Sequence, residues 1–408
     1  MENGGQGNIY TISKREEKFQ QSKSSDIIIG FVDNLLVTAV EMYASDIHLQ
    51  PEESFARVRY RIDGILYDQD SIDLEKLNYT ISRIKILAGL DISVQRLPQD
   101  GKIKLTLGDT QNQKQIIDLR IATFPSTYGE KMVIRILDRS HNLLNLESLG
   151  MQKSMLTQIK NLIQKPHGFF LVTGPTGSGK TTTLYALLSE LNKPGKNIVT
   201  MEDPVEYAVP GIMQSQVNEK AGLNFQNGLR SLLRQDPDIM MIGEIRDKIT
   251  AQIAIESSLT GHLVFSTLHT NDAAGAITRL IDMGVEPFLI NATLTGVLGQ
   301  RLVRKLCNKC KIETQLNAMP KLKNLNGTIF SANGCPNCFN LGHKGRTGVF
   351  ELLVLDDQIR ELVMQSSTSG KILQQAVKSG MKTILDDGIE KVNSGQIQLE
   401  ELLGSVET

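Results

Sequence analysis

GFFLVTGPTGSGKTTTLYALL, Gly168 to Leu188, holds three patterns in succession. Gly168–Thr173 is a short apolar run of the kind buried in a parallel sheet. Gly174, Gly179, Lys180 and Thr181 then fit G-x-x-x-x-G-K-[ST], a phosphate-binding loop. Leu184, Leu187, Leu188 and Leu191 follow at i, i+3, i+4, i+7, which predicts a helix with one apolar face. Strand, loop and helix together are the context in which the loop has chemical meaning. Backbone N–H groups and a helix N-terminus cradle phosphates, a lysine reaches the β- and γ-phosphates, and a hydroxyl ligates Mg²⁺. The candidate nucleotide-binding residues are Gly174, Pro175, Thr176, Gly177, Ser178, Gly179, Lys180, Thr181 and Thr182, with Thr181 as the Mg²⁺ ligand.

Moving toward the C-terminus, the strand, loop, helix pattern repeats and predicts an α/β core. NIVTMEDPVEY delivers Glu202 and Asp203, DIMMIGEIRD delivers Glu244, and GHLVFSTLHTND has His262 at its start and Thr267 and His269 at its end. Ligands of an open parallel sheet sit beyond the carboxyl ends of its strands, so most of these side chains are expected to converge on the nucleotide. Phosphoryl transfer to water needs a metal, a group that orients the water and dipoles that take up charge. Taken singly, each residue also has a plain reading, as a helix cap or a structural histidine.

Toward the N-terminus the character changes. Residues 1–25 are rich in Gly, Ser, Gln and charge, and are expected to form a disordered arm. From Asp26, Ile28, Val32, Leu35, Ala39 and Met42 recur on one helical face until Ala44-Ser45-Asp46 closes the segment. FARVRYRIDGILY alternates, with Val58, Tyr60 and Ile62 on one face and Arg57, Arg59 and Arg61 on the other, before an Asp63-Gly64 turn. IIDLRIATF and EKMVIRIL alternate as well, so residues 26–138 read as an α+β domain and 139–150 as a linker. The chain has 408 residues with 44 Lys plus Arg against 45 Asp plus Glu, so there is no net positive field to hold a polyanion. The N-terminus lacks the apolar stretch of a signal peptide and no window holds 18 uninterrupted apolar residues, which predicts a cytosolic protein.

GPTGSGKTTTLYALL, MEDPVEY, LRSLLRQDPDIMMIGEIRD and TGHLVFSTLHTND, in this order, resemble the Walker A, Asp box, Walker B and His box of the secretion ATPases of type II secretion and type IV pilus assembly. The resemblance extends upstream through ASDIHLQP, VRYRIDG, RLPQDGKI and DLRIATFPSTYGEKMVIRIL, and covers roughly residues 26–403. It implies an α/β RecA-like core over 151–304 preceded by a PAS-like domain, working as a cytoplasmic homohexamer at the inner face of the cytoplasmic membrane. Partners would be inner-membrane platform proteins, with membrane association through them and no direct nucleic acid. Carried over residue by residue, Lys180 and Thr181 hold phosphates and metal, Glu244 is the Walker B carboxylate, and Glu202 orients or activates the attacking water. His262 and His269 sense the γ-phosphate or transmit its presence, and Arg120, Arg135, Arg230 and Arg234 supply the arginines around the nucleotide. Family members often carry a long N-terminal docking region, whereas only about 25 polar residues precede the PAS-like stretch here, so recruitment through such a region has no support.

Cys307, Cys310, Cys335 and Cys338 are all the cysteines of the chain, in a C-x₂-C-x₂₄-C-x₂-C pattern. In a reducing compartment this spacing predicts a tetrahedral Zn²⁺ site, structural because four thiolates leave no open position. A zinc subdomain is expected over 305–345 and a helical subdomain over 346–408. Assembly-type relatives carry a comparable insert and retraction-type ones generally lack it, so the resemblance points to extension. The alternatives are a ring-shaped nucleic-acid translocase, for which charge and the absence of tryptophan give no signature, and a nucleotide-dependent scaffold with little turnover.

Overall fold

The computed structural model describes residues 8–12, 24–108, 115–138, 145–315, 322, 324, 325 and 328–406. The chain divides into two units, Met1–Asn142 and Leu143–Thr408.

The first unit runs β1 (Asn8–Ile12), α1 (Ser24–Glu41), β2 (Ala44–Pro51), β3 (Ala56–Ile62), β4 (Ile65–Ile72), α2 (Leu74–Ala88), β5 (Gln99–Leu107), β6 (Gln115–Ser126) and β7 (Gly129–Asp138). Its sheet has the order β1-β5-β6-β7-β2-β3-β4. Period two decides which face is covered: Val58, Tyr60 and Ile62 are buried while Arg57, Arg59 and Arg61 face the other way. Val32, Leu35 and Ala39 of α1 and Met42 just after it are buried, and the Tyr60 hydroxyl donates to the Leu35 carbonyl at 2.9 Å. Asp63 and Gly64 have φ of 49° and 92°, the left-handed pair that a two-residue hairpin requires. Asp73 caps the start of α2, and Gly89, at φ 68°, ends it.

Three expectations change here. Ala44-Ser45-Asp46 opens β2 instead of closing the helical segment, because the chain reverses one residue earlier, at Tyr43, φ 56°. Asn8–Ile12, inside the stretch expected to be disordered, pairs parallel with β5, and Tyr10 donates to Asp33 Oδ1 at 2.5 Å. Edge pairing draws on backbone groups, which composition does not register. The rest of that arm, 1–7 and 13–23, lies outside the described residues, as does 139–144 of the expected linker. Beyond it, Leu146–Leu149 is a short 3-10 helix capped by the Asn145 side chain, and Leu146 and Leu149 are buried in the core of the second unit.

The second unit runs α3 (Lys153–Ile163), β8 (Gly168–Thr173), α4 (Lys180–Leu191), β9 (Ile198–Glu202), β10 (Met213–Gln216), α5 (Phe225–Leu232), β11 (Ile239–Ile242), α6 (Lys248–Leu259), β12 (Leu263–Leu268), α7 (Ala273–Asp282), α8 (Pro287–Thr293) and β13 (Leu294–Leu306). It continues with β14 (Ile312–Gln315), β15 (Thr328–Ser331), β16 (His343–Val354), α9 (Asp357–Met364), α10 (Ser369–Lys378), α11 (Ile384–Asn393) and α12 (Leu399–Val406). The large sheet has the order β10-β9-β11-β12-β8-β13-β16, parallel except for the last pair. Both faces are covered. Phe169 and Leu171 of β8 pack with α5 to α8, whereas Phe170 and Val172 pack with α3 and α4, so successive side chains serve opposite cores. The stretch assigned to a C-terminal helical subdomain therefore begins with a sheet strand, since β16 pairs antiparallel with β13 from Gly296↔Val354 to Leu306↔His343. The cysteine insert with its two-stranded β14–β15 ribbon is the excursion between them.

Candidate nucleotide site and cysteine cluster

The loop between β8 and α4 lies at the carboxyl end of β8, and its glycines answer to a neighbour that the motif does not contain. A Cβ on Gly174 (φ 150°) would come within 2.4 Å of the Gln300 carbonyl oxygen, and one on Gly179 (φ 87°) within 3.0 Å of Gln300 Nε2. Gln300, on β13, is buried. Its amide donates to Ser178 O at 2.6 Å, and its Oε1 accepts from Thr183 Oγ1 at 2.8 Å. Lys180 Nζ donates to Gly174 O at 2.8 Å and Pro175 O at 3.0 Å. Burial lowers its pKa; Glu244 opposes that shift and Arg301 adds to it. Ser178 Oγ is buried without a hydrogen-bond partner. A phosphate oxygen in the loop would satisfy it, so the donor set fits an anionic group.

Two further predicted residues meet beside this loop. Glu244 follows β11 and His269 follows β12, and His269 Nε2 lies 3.1 Å from Glu244 Oε2 while Arg246 holds Oε1. The strand ends are stitched by Ile245 N donating to Thr267 O at 3.0 Å and Thr267 Oγ1 donating to Gly243 O at 2.8 Å. Thr173, the last residue of β8, shares a 2.7 Å hydroxyl contact with Thr270, which fixes the His269 segment to the loop's own strand.

Glu202 ends β9 and is 2% exposed. Thr200 Oγ1 donates to its Oε1 at 2.6 Å, Gln214 Nε2 to the same atom at 3.2 Å, and the Tyr185 hydroxyl to Oε2. His262 is placed elsewhere. It precedes β12, with Nδ1 2.9 Å from Ser257 O, so the length of β12 separates it from His269, roughly 20 Å at ~3.3 Å per residue. This does not bring it to the loop as a γ-phosphate sensor, because a residue before a parallel strand lies at the amino end of the sheet. Arg230 and Arg234 are exposed at α5 and just beyond it, and Arg234 donates to Arg230 O and Ser231 Oγ.

In the first unit, Arg120 and Arg135 are direct cross-strand neighbours on β6 and β7. The row extends through Lys102 on one side and Asp46 and Arg61 on the other, on the sheet face away from α1 and α2. Arg135 Nε lies 3.0 Å and Arg61 Nε 3.7 Å from the Asp46 carboxylate. Two of the row's four cations thus hold its single carboxylate, and Arg120 and Lys102 extend the row beyond it.

The four cysteine sulfurs lie within 4.8 Å of one another, with Cys307–Cys335, Cys310–Cys338 and Cys335–Cys338 at 3.9, 3.8 and 3.8 Å. Disulfide sulfurs would sit at about 2.05 Å. Four thiolates around a tetrahedral ion at ~2.3 Å are about 3.8 Å apart, so the cluster could hold a zinc ion. Backbone N–H groups of Gly334, Cys335 and Gly342 and the Asn337 amide point at the sulfurs, donors that suit thiolates.

Gln300 and Tyr185 were absent from the sequence-derived site. Gln300 left one trace, a polar residue amid the apolar strand LTGVLGQRLV; Tyr185 left none, since it reads as part of an apolar helix.

Residues 21–404 match the family model described as type II/IV secretion system protein. The chain is 49% identical over 376 residues to the type II secretion system protein HxcR of Pseudomonas aeruginosa, covering 92% of this chain and 76% of that one. It is 46% identical over 380 residues to the type IV pilus assembly ATPase PilB of Thermus thermophilus, covering 91% of this chain and 42% of that one. In three dimensions it is similar to the X-ray structure of the Legionella pneumophila ATPase DotB, with a TM-score of 0.67, 20% identity and coverage of 98% and 99%.

Proposed function

The chain belongs to the type II/IV secretion system protein family, and from that membership we propose that it is an ATP-hydrolysing motor that drives pilus or pseudopilus assembly. The observation that carries this reading is the meeting of the phosphate loop with Glu244 and His269 at the carboxyl ends of the parallel strands. Loop N–H groups and Lys180 hold the triphosphate, and Lys180 can exchange its contacts to Gly174 O and Pro175 O for phosphate oxygens. Bound Mg²⁺ supplies charge neutralisation on the β- and γ-phosphates, and Thr181 is the loop residue suited to ligate it. Glu244 is the Walker B carboxylate, held in place by Arg246 and His269. Glu202 orients the attacking water. Arg120 and Arg135, and Arg230 and Arg234, supply positive charge when subunits and domains close around the nucleotide. His262 supports α6 from the far end of its strand. Cys307, Cys310, Cys335 and Cys338 would hold Zn²⁺ as a structural ion that braces the insert.

The working form is a homohexamer at the cytoplasmic face of the inner membrane, recruited by platform proteins of the machine. No helix among the described residues is long and apolar enough to cross a membrane, which suits peripheral recruitment.

Steady-state hydrolysis by the purified chain tests the assignment. Lys180→Ala should lower turnover by at least ~10²-fold, the usual cost of removing one charge-stabilising donor, and Glu244→Gln should do likewise. Turnover near wild type in both variants would overturn the motor reading. Deletion and complementation in the source cell, scored for secreted proteins and for surface pili, separates the two machines.

A further inference from the structure

The carboxylate of Glu202 is buried among three donors, and one of them comes from the helix that begins at the phosphate loop. Tyr185 lies on α4 five positions after Lys180, is 2% exposed, and its hydroxyl donates a hydrogen bond to Glu202 Oε2. Thr200 and Gln214 occupy Oε1. Oε2, which can accept two hydrogen bonds, therefore has the remaining capacity to receive a water, and the phenol sets its direction. Burial, and then the Glu202 hydrogen bond and charge, hold the Tyr185 phenol far above its ordinary pKa, so it stays a donor. The ring is fixed in turn by Tyr207, edge-on at 84° with centroids 4.7 Å apart, while the Tyr207 carbonyl accepts from Gln214 Nε2 at 3.1 Å. The phosphate-loop helix and the segment after β9 thus share one polar junction.

We propose that Tyr185 is a positioning residue for hydrolysis: it aims Glu202 at the attacking water and makes that aim depend on the seating of α4, and so on nucleotide in the loop. Any displacement of α4 when the triphosphate is gripped moves the phenol and turns the carboxylate with it. Thr200 and Gln214 come from other elements, so they keep Oε1 in place and give the carboxylate a pivot. This rests on Glu202 being the water-orienting carboxylate.

The experiment compares Tyr185→Phe, Glu202→Gln and the double variant in the full chain, by steady-state hydrolysis, ATP affinity and thermal unfolding. Losing one hydrogen bond to a charged group should lower kcat in Tyr185→Phe roughly 10- to 100-fold, with KM and ATP affinity unchanged. The double variant should be no slower than Glu202→Gln alone, as expected of residues that act as a unit. A fluorotyrosine placed at position 185 keeps the ring and alters only donor acidity, so a change in its kcat reports donor strength even if Tyr185→Phe does not fold. If Glu202→Gln retains wild-type turnover, the reading of Glu202 fails. If Glu202→Gln is slow while Tyr185→Phe and the fluorotyrosine protein both turn over like wild type, or the two losses multiply, the role of Tyr185 fails.

Discussion

The amide of Gln300 donates to the phosphate loop at Ser178 and accepts from Thr183 on α4, so Gln300→Ala would leave the Ser178 carbonyl and the Thr183 hydroxyl buried and unpaired. Each such group costs ~1–3 kcal/mol. We expect the variant to lose about that much stability by denaturant titration and to bind ATP more weakly, since the loop is no longer braced from β13. Unchanged unfolding and unchanged affinity would show that the brace is idle. The contrast with Lys180 is instructive at this scale. Lys180 is legible from its place in a motif, because phosphate chemistry demands a cation at that spacing. Gln300 lies more than a hundred residues further along the chain, and only the pairing of β13 with β8 brings it beneath the loop.

Among the elements, the cysteine insert and the Leu146–Leu149 turn lend themselves to measurement. Elemental analysis should find one zinc per chain, and strong chelation or Cys335→Ser should lower thermal stability, since structural zinc contributes apparent energies of ~10–16 kcal/mol in model peptides. A metal-free protein of equal stability would refute the site. Leu146 is 1% exposed, although DRSHNLLNLESLG reads as a connection. Leu146→Ala should cost ~2–5 kcal/mol on denaturation, the usual loss for a buried leucine, and a loss under 1 kcal/mol would return the turn to linker status. Elements with a strong period two or 3.6, such as β3 and α4, and the unbroken apolar run of β8 are evident from pattern. Asn8–Ile12 was not, because an edge strand of five residues depends on β5 offering a partner.

For the whole molecule, the role proposed for Arg120 and Arg135 is the one to test. Arg120 and Arg135 stand directly opposite each other, an arrangement of like charges that costs stability unless an anion lies near. Arg135 is 63% exposed even with Asp46 beside it, so it remains available to a phosphate. We expect Arg135→Ala to fold and bind nucleotide normally yet lose turnover by up to ~10³–10⁵, as when an arginine finger is removed. Specific activity of the wild type should rise with protein concentration as rings form. Wild-type turnover in Arg135→Ala, together with a dilute monomer as active as the ring, would end the closure mechanism. The sequence by itself determined the phosphate loop, the alternation of covered and open sheet faces, the α/β core and the thiolate quartet, because each rests on chemistry or periodicity within a short window of chain. Only the tertiary structure decided that Gln300 lies under the loop, that Tyr185 reaches Glu202, that His262 sits at the far end of the sheet from His269, and that β16 completes the core beyond the insert. Those facts depend on which strand lies beside which, and strand order is set by the packing of distant segments, which local spacing does not encode.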